Sequence, residues 1–359
     1  PFLFITIACG AVSGFHALIS SGTTPKLLAS EADARYIGYG AMLMESMVAI
    51  MAMVAASIIE PGVYFAMNSP PAIVGGDVAA VATAVSNWGF AITPDALAGV
   101  AKDIGEHSIL ARAGGAPTLA VGIAQILHQL LPGENTMAFW YHFAILFEAL
   151  FILTAVDAGT RAGRFMLQDL LGSFVPSLKR TDSWAANVLG TAGCVAMWGY
   201  LLYQGVIDPL GGINTLWPLF GISNQMLAGI ALMLSTVVLI KMKRQQFAWV
   251  TMLPAAWLLI CTTAASLIKL FDANPAVGFL ALADKYKAAM AAGQVLAPAK
   301  SLDQMQNVIM NAYTNATLSV LFLLVVFSIL FYSLKVGRAA WVRPERSDKE
   351  TPFQPLPNA

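Results

Sequence analysis

The sequence predicts an all-α polytopic membrane protein, with about seven transmembrane helices, one further re-entrant or short helix, and helices that are broken inside the membrane. Three observations lead there. Hydrophobic residues fill 58% of the 359 positions and charged residues only 11%, against about 25% charged in an average soluble domain. Apolar runs recur at the length a bilayer demands, about 20 residues each. Two of those runs carry Gly, Pro and small polar residues where a plain span would carry Leu or Val.

Seven segments meet the length requirement: 1–21, 38–59, 136–156, 184–206, 213–240, 247–271 and 315–337. Basic residues collect on the cytoplasmic side of a membrane. Three clusters stand out: Arg161, Arg164, Lys179 and Arg180; Lys241, Lys243 and Arg244; and Arg338, Arg343 and Arg346. Alternating the spans puts all three inside together with Lys26 and Arg35, and leaves 60–116 and 272–314 as external regions. The apolar piece 117–131 would extend only about 22 Å as a helix, short of a hydrocarbon core of about 30 Å, so it reads as re-entrant or partly buried. Residues 157–183 read as a cytoplasmic interfacial helix and linker, with Phe165, Leu167, Leu170, Leu171 and Phe174 near one face and Arg161, Arg164, Gln168 and Asp169 polar. Asp157 and Arg161 stand four apart and can pair along it. The stretch 338–359 has no apolar periodicity and reads as a disordered cytoplasmic tail, which makes 1–337 the transmembrane domain.

The formal net charge is zero, so nothing points to nucleic acid. Cys9, Cys194 and Cys261 lie in apolar stretches without metal-ligand spacing and read as small core residues. His16, His107, His128 and His142 make no HExxH or related pattern, so no metal site and no cofactor is expected. Ser13 lacks the GxSxG context of a hydrolase elbow. The chain is not expected to be an enzyme.

Ionisable groups inside spans are costly, by about 2.5–3.5 kcal/mol at a helix centre on insertion scales, and therefore mark function by default. Glu148, in "YHFAILFEALFILT", and Glu45, in "IGYGAMLMESM", have no basic residue one turn away in their own spans. A buried carboxyl that exchanges a proton suits a relay, with His16 as a possible partner; the alternative is a neutral Glu hydrogen-bonded between helices. The first interrupted run is "ACGAVSGFHALISSGTTPK". A helix broken at Ser13 and Gly14 would free backbone groups at membrane depth, where half-helix N-termini favour anions. Gly10 and Gly14 also form a GxxxG, the usual signature of close helix packing. The second is "GGINTLWPLFGISNQ", in which Pro218 predicts a kink or restart beside Asn214, Trp217, Asn224 and Gln225. Two Gly/Pro-interrupted spans are the best sequence pointer to a transporter binding site. Ser13, Gly14, Thr23, Thr24, Asn214, Trp217, Asn224 and Gln225 are thus the substrate-binding candidates. Lys26, Asp157, Arg161 and Arg164 are the candidates for a gate or anchor.

These runs, with "RAGGAPTLAVGIA" and "AVDAGTRAGRFMLQD", resemble the carbon starvation protein A family over most of the chain up to about residue 240. The resemblance implies a multi-pass transporter in the cytoplasmic (inner) membrane of a bacterium or archaeon. It implies uptake of short peptides or pyruvate, with protons or sodium as coupling ion, and the broken-helix fold of the amino acid–polyamine–organocation superfamily. Family members are longer at the N-terminus, so further helices of the same chain are expected as its partners, along with substrate and bilayer. The alternative is a membrane sensor or receptor subunit that binds the same metabolites without moving them.

Overall fold

The computed structural model describes residues 1–342 apart from 70, 111, 113, 114, 181 and 211; positions 71, 72, 212–216 and 218 are described by their backbone alone. The described residues form α-helices, short 3-10 and π segments and loops, with no strand. In chain order the helices are α1 (Phe2–Ala11), α2 (Gly14–Gly22), α3 (Thr24–Leu27), α4 (Gly40–Ile58), α5 (Pro61–Asn68), α6 (Pro71–Val74), α7 (Val78–Asn87), α8 (Pro94–Asp103), α9 (Gly115–Leu130), α10 (Thr136–Gly172), α11 (Trp184–Ile207), α12 (Gly212–Lys241), α13 (Ala248–Phe271), α14 (Phe279–Ala291) and α15 (Leu302–Val342). Seven stretches among the described residues are long and apolar enough to cross a membrane: Phe2–Leu27, Arg35–Ile58, Thr136–Gly172, Trp184–Ile207, Leu219–Lys241, Gln245–Phe271 and Leu302–Val342. Each contains or closely overlaps one predicted span, because about 20 apolar residues in a row have few stable alternatives to a membrane helix.

The chain divides into two compact units, residues 28–158 and residues 1–27 with 159–359. In the first of these, α4 packs on α9 and the short helices α5, α6, α7 and α8 pack in sequence beside them. Small residues set the approach of α4 to α9. A Cβ built on Gly122 would lie 2.2 Å from the Ala55 carbonyl oxygen, closer than any side chain permits, so only glycine lets the backbones meet there. Val63, Met67, Val81, Val85, Leu97, Ile104, Val121 and Tyr141 fill the core behind this contact. Residues 60–116, expected to be an external region between spans, contain short helices, of which α7 and α8 carry side-chain caps. Asp77 Oδ1 accepts from Ala80 N at the start of α7, and Thr93 Oγ1 accepts from Ala96 N at the start of α8, with Pro94 in its first turn. At 10 residues, α7 reaches only about 15 Å, half a bilayer core.

In the other unit α12 is the hub: α1, α2, α11, α13 and α15 all pack against it. The sequence predicts a kink or restart at Pro218; the helix does not restart there, since α12 runs unbroken from Gly212 to Lys241. Pro218 lies in the second turn and removes one intrahelical hydrogen bond, a loss a membrane helix can absorb through its neighbours. The stretch expected as an interfacial helix is not separated from the span before it. Residues 157–172 continue the preceding span as α10, 37 residues in all, or about 55 Å at 1.5 Å per residue. Their inner face packs on α11. Gln168, only 2% exposed, donates to Asn187 Oδ1 at 3.1 Å, and a Cβ on Gly163 would meet Cys194 Sγ at 2.6 Å. The region 272–314, expected to be external, contains α14 packed against the first turns of α15, through Ala283, Tyr286, Met305, Val308 and Ile309. The predicted tail begins helical, since α15 continues to Val342; 343–359 lie outside the described residues.

Replacing Gly122 by Leu forces α4 and α9 apart. The expected loss is about 1–3 kcal/mol, the usual cost of overpacking, read as a lower melting temperature of the purified protein in detergent. An unchanged melting temperature contradicts the packing described.

Candidate functional site

The first span is interrupted between α1 and α2. Val12 (φ −129°, ψ 89°) and Ser13 (φ −105°, ψ 122°) leave the helical region, and the helix resumes at Gly14. A break at this depth frees backbone groups that lipid cannot satisfy. One carboxamide of α12 answers it, and the next ties α1 to the same helix. Asn224 Oδ1 accepts from Phe15 N at 3.0 Å and from Ser13 Oγ at 3.3 Å, and so caps the start of α2. Asn224 Nδ2 donates to Cys9 Sγ at 3.5 Å. Gln225 Nε2 donates to the Ile5 carbonyl at 2.9 Å, inside α1 about two turns before the break. Asn224 is 5% exposed and Gln225 0%. Gly14 makes the approach possible, because a Cβ there would overlap the Asn224 carbonyl oxygen at 2.2 Å and Leu227 Cβ at 2.3 Å. Gly10, the other half of the GxxxG, has nothing within 4 Å of its Cβ position.

This geometry sorts the candidates. Ser13, Asn224 and Gln225 come together at the break. Gly14 is a contact glycine with no room for a ligand. The Phe15 amide, which the sequence offers to a substrate carboxylate, is already held by Asn224. Thr23 and Thr24 both donate their hydroxyls to the Ile19 carbonyl, at 3.2 and 3.1 Å, and close the end of α2. His16 is exposed, its ring edge-on to Phe15. The side chain of Asn214 lies outside the described residues. Glu45 and Glu148 belong to the unit of residues 28–158; Glu45 is exposed there, while Glu148 Oε2 is buried without a hydrogen-bond partner among the described residues. Lys26 makes a 3.4 Å ion pair with Asp169, and the cations of Lys26 and Arg164 lie 4.5 and 4.7 Å from the centre of the Phe165 ring. Lys26, Arg164, Phe165 and Asp169 thus form one cluster; the ion pair is well exposed and contributes little by itself. Asp157 and Arg161 each keep an interaction of their own.

Beside the break lies a cavity of about 240 Å³, walled by Phe2, Thr6 and Cys9 of α1, Trp217 and Gly221 of α12, and Lys269 of α13. Cys9 joins cavity to break, since its sulfur accepts from Asn224. A larger space of about 770 Å³ among α12, α13 and α15 is lined mainly by apolar side chains such as Met233, Val237 and Trp249, and its chemistry suits acyl chains better than a polar solute.

Two polar features escape sequence reasoning. Lys269 sits at the end of a span, where lysines are routinely interfacial anchors. Asp208, in "VIDPL", follows a span and looks like a loop residue, yet it is 4% exposed. Its carboxylate accepts from Leu210 N at 2.8 Å and from Asn311 Nδ2 at 2.9 Å. Burial, and the nearby Asp208 charge, push the Tyr286 phenol above its ordinary pKa. Asn311, Asn315 and Ser319 are all buried on α15, at the spacing of one helix face.

Replacing Asn224 by Leu keeps the bulk but removes the cap of α2. The expected destabilisation is about 1–3 kcal/mol, for one lost cap and the buried donors it leaves, measured as thermal unfolding in detergent. Wild-type stability in this variant contradicts the capping role.

Residues 1–265 match the model of the family described as carbon starvation protein CstA. The chain is similar to the pyruvate/proton symporter BtsT of Escherichia coli (strain K12), 64% identical over 380 aligned positions that cover 99% of this chain and 53% of that protein. It is similar to the peptide transporter CstA of the same organism, 62% identical over 363 positions, covering 99% of this chain and 52% of that protein. It is also 49% identical over 337 positions to the peptide transporter CstA of Mycobacterium tuberculosis (strain ATCC 25618 / H37Rv), covering 91% and 44% of the two chains. The chain thus spans about half the length of the curated relatives it matches. No solved structure matches it. With seven helices fit to cross a bilayer, it is part or all of a multi-pass membrane protein, and it belongs to the carbon starvation protein CstA family.

Proposed function

We propose that this chain forms part of a secondary active transporter that imports short peptides or small carboxylates such as pyruvate across the inner membrane of a bacterium or archaeon, by proton symport. The observation that carries the reading is the interrupted helix α1–α2, held by Asn224 and Gln225 beside a cavity. Broken helices at a substrate site recur in secondary transporters, because they bring backbone dipoles to the cargo and let the two halves move separately. The names of the relatives, a pyruvate/proton symporter and peptide transporters, support the substrate class and the coupling ion.

In this reading Asn224 is the hinge clasp of the first span. Its side chain joins α2 to α12, while Gln225 joins α1 to α12. Breaking one clasp and keeping the other lets one half-helix move without unravelling the whole span. Glu148, whose Oε2 is buried without a hydrogen-bond partner among the described residues, carries the coupling proton, and Glu45 and His16 are the further titratable candidates. The Lys26–Asp169 pair with Arg164 and Phe165 is a cytoplasmic latch, weak enough in solvent to open during a transport cycle.

The test is uptake by the intact protein in proteoliposomes, with labelled pyruvate and labelled dialanine and with proton and sodium gradients imposed separately. Accumulation is expected with the proton gradient alone. Glu148→Gln is expected to abolish gradient-driven accumulation, at least tenfold, and to preserve exchange of internal for external substrate. Accumulation driven only by sodium contradicts proton symport. Binding without exchange contradicts transport and identifies a receptor.

A further inference from the structure

We propose that Lys269 is the carboxylate-recognition residue of this protein, and that the cavity between α1, α12 and α13 is where a small carboxylate is first held. This rests on the transport reading above only for the identity of the cargo; the site itself rests on geometry.

Lys269 is placed two residues before the end of α13, on the wall of the 240 Å³ cavity. Its ammonium lies 5.5 Å from the ring centre of Phe2 and 5.6 Å from that of Phe279. Both are within the reach of a cation–π contact, about 6 Å, but ring faces leave the three N–H donors of an ammonium unfulfilled. Among the described residues no carboxylate comes within ion-pair distance; Asp272, three positions on, acts on it only through its field. The positive charge is therefore held by aromatic rings at the edge of a space, where an incoming anion can take its donors.

The rest of the wall specifies the kind of anion. A cavity of 240 Å³ is far larger than the roughly 10–15 Å³ needed for one water, and small for a drug-sized ligand, for which pockets run about 300–1,000 Å³. Phe2, Ile5 and Trp217 offer apolar surface, Thr6 a hydroxyl, and Cys9 a weakly polar thiol. One cation, one hydroxyl and an aromatic-aliphatic remainder match a monocarboxylate with a short apolar group. A free 2-oxo acid and the C-terminus of a short peptide share that chemistry. The choice of lysine also fits a site that must release its ligand. An ammonium is a compact, strongly hydrated point charge, whereas a guanidinium would grip a carboxylate in a bidentate fork. Behind the cavity, Cys9 contacts Asn224, so an occupant pressing on α1 is one side chain away from the clasp on α2.

The experiment is equilibrium binding to the purified, intact protein, with labelled pyruvate, labelled dialanine and labelled dialanine amide as probes. Wild type is expected to bind the two carboxylates and to bind the amide at least tenfold more weakly. Lys269→Gln should weaken both carboxylates by about tenfold or more and leave the amide unchanged, while Lys269→Arg should restore most of the loss. Equal binding of dialanine and its amide by wild type overturns the proposal without any variant. So does unchanged carboxylate affinity in a folded Lys269→Gln protein, or binding of neither carboxylate. Lys269-dependent binding without uptake leaves this site standing and removes transport; uptake indifferent to Lys269 does the reverse.

Discussion

Two adjacent carboxamides on one helix hold the account together. A span broken at membrane depth cannot leave its amides and carbonyls to lipid, where each orphan costs several kcal/mol. Asn224 caps the restart of the first span by accepting from Phe15 N, and Gln225 ties the preceding half-helix to α12 by donating to Ile5 O. That brace requires α12 to lie against both half-helices, and Gly14 and Gly221 make the approach possible. A Cβ on Gly221 would stand 2.9 Å from Ile5 Cγ2. The other helices of this unit follow, since α11, α13 and α15 surround the helix that carries the brace.

The brace also has a chemical consequence. It satisfies the break with neutral groups, so the positive end of α2 is occupied by a protein oxygen and is not offered to cargo. The charge that meets an anion must come from elsewhere. Lys269, on the wall of the neighbouring cavity, is the residue proposed to supply it. In the proposed function the two tasks are separate: the neutral clasp sets the shape of the first span, and the cation is the proposed selector of an anion.

Length and hydrophobicity made the seven spans legible, because a bilayer leaves a 20-residue apolar run little choice. The polar residues of "SGFHALISSGTTPK" pointed to the break and to Ser13, and "GISNQ" pointed to Asn224 and Gln225. What the sequence could not convey was the direction of those bonds. Asn224 reads as a ligand to substrate until its partners are known, and they lie more than 200 residues away. Thr23 and Thr24 look available in a string of letters, but their hydroxyls return to their own helix. Pro218 suggested a second break that the packing around α12 overrides. The short helices within 60–116 were hidden by their length, too brief to register as spans and revealed only by caps such as Asp77 and Thr93. Lys269 and Asp208 were missed for the same reason as each other: a charge at the end of a span is ordinarily wet, and only the fold shows which one faces a cavity or a buried asparagine.

The broken first span is expected to border a water-accessible cavity. The three native cysteines report on it directly. Cys9 lines the cavity, whereas Cys194 and Cys261 are buried in helix contacts. The measurement is mass-spectrometric labelling of all three by a small, water-soluble, membrane-impermeant maleimide, with and without pyruvate or dialanine. Cys9 is expected to be modified well ahead of Cys194 and Cys261, and substrate to slow its modification. Labelling of Cys9 no faster than of Cys261 would contradict this, because the span would then be sealed where water access is expected.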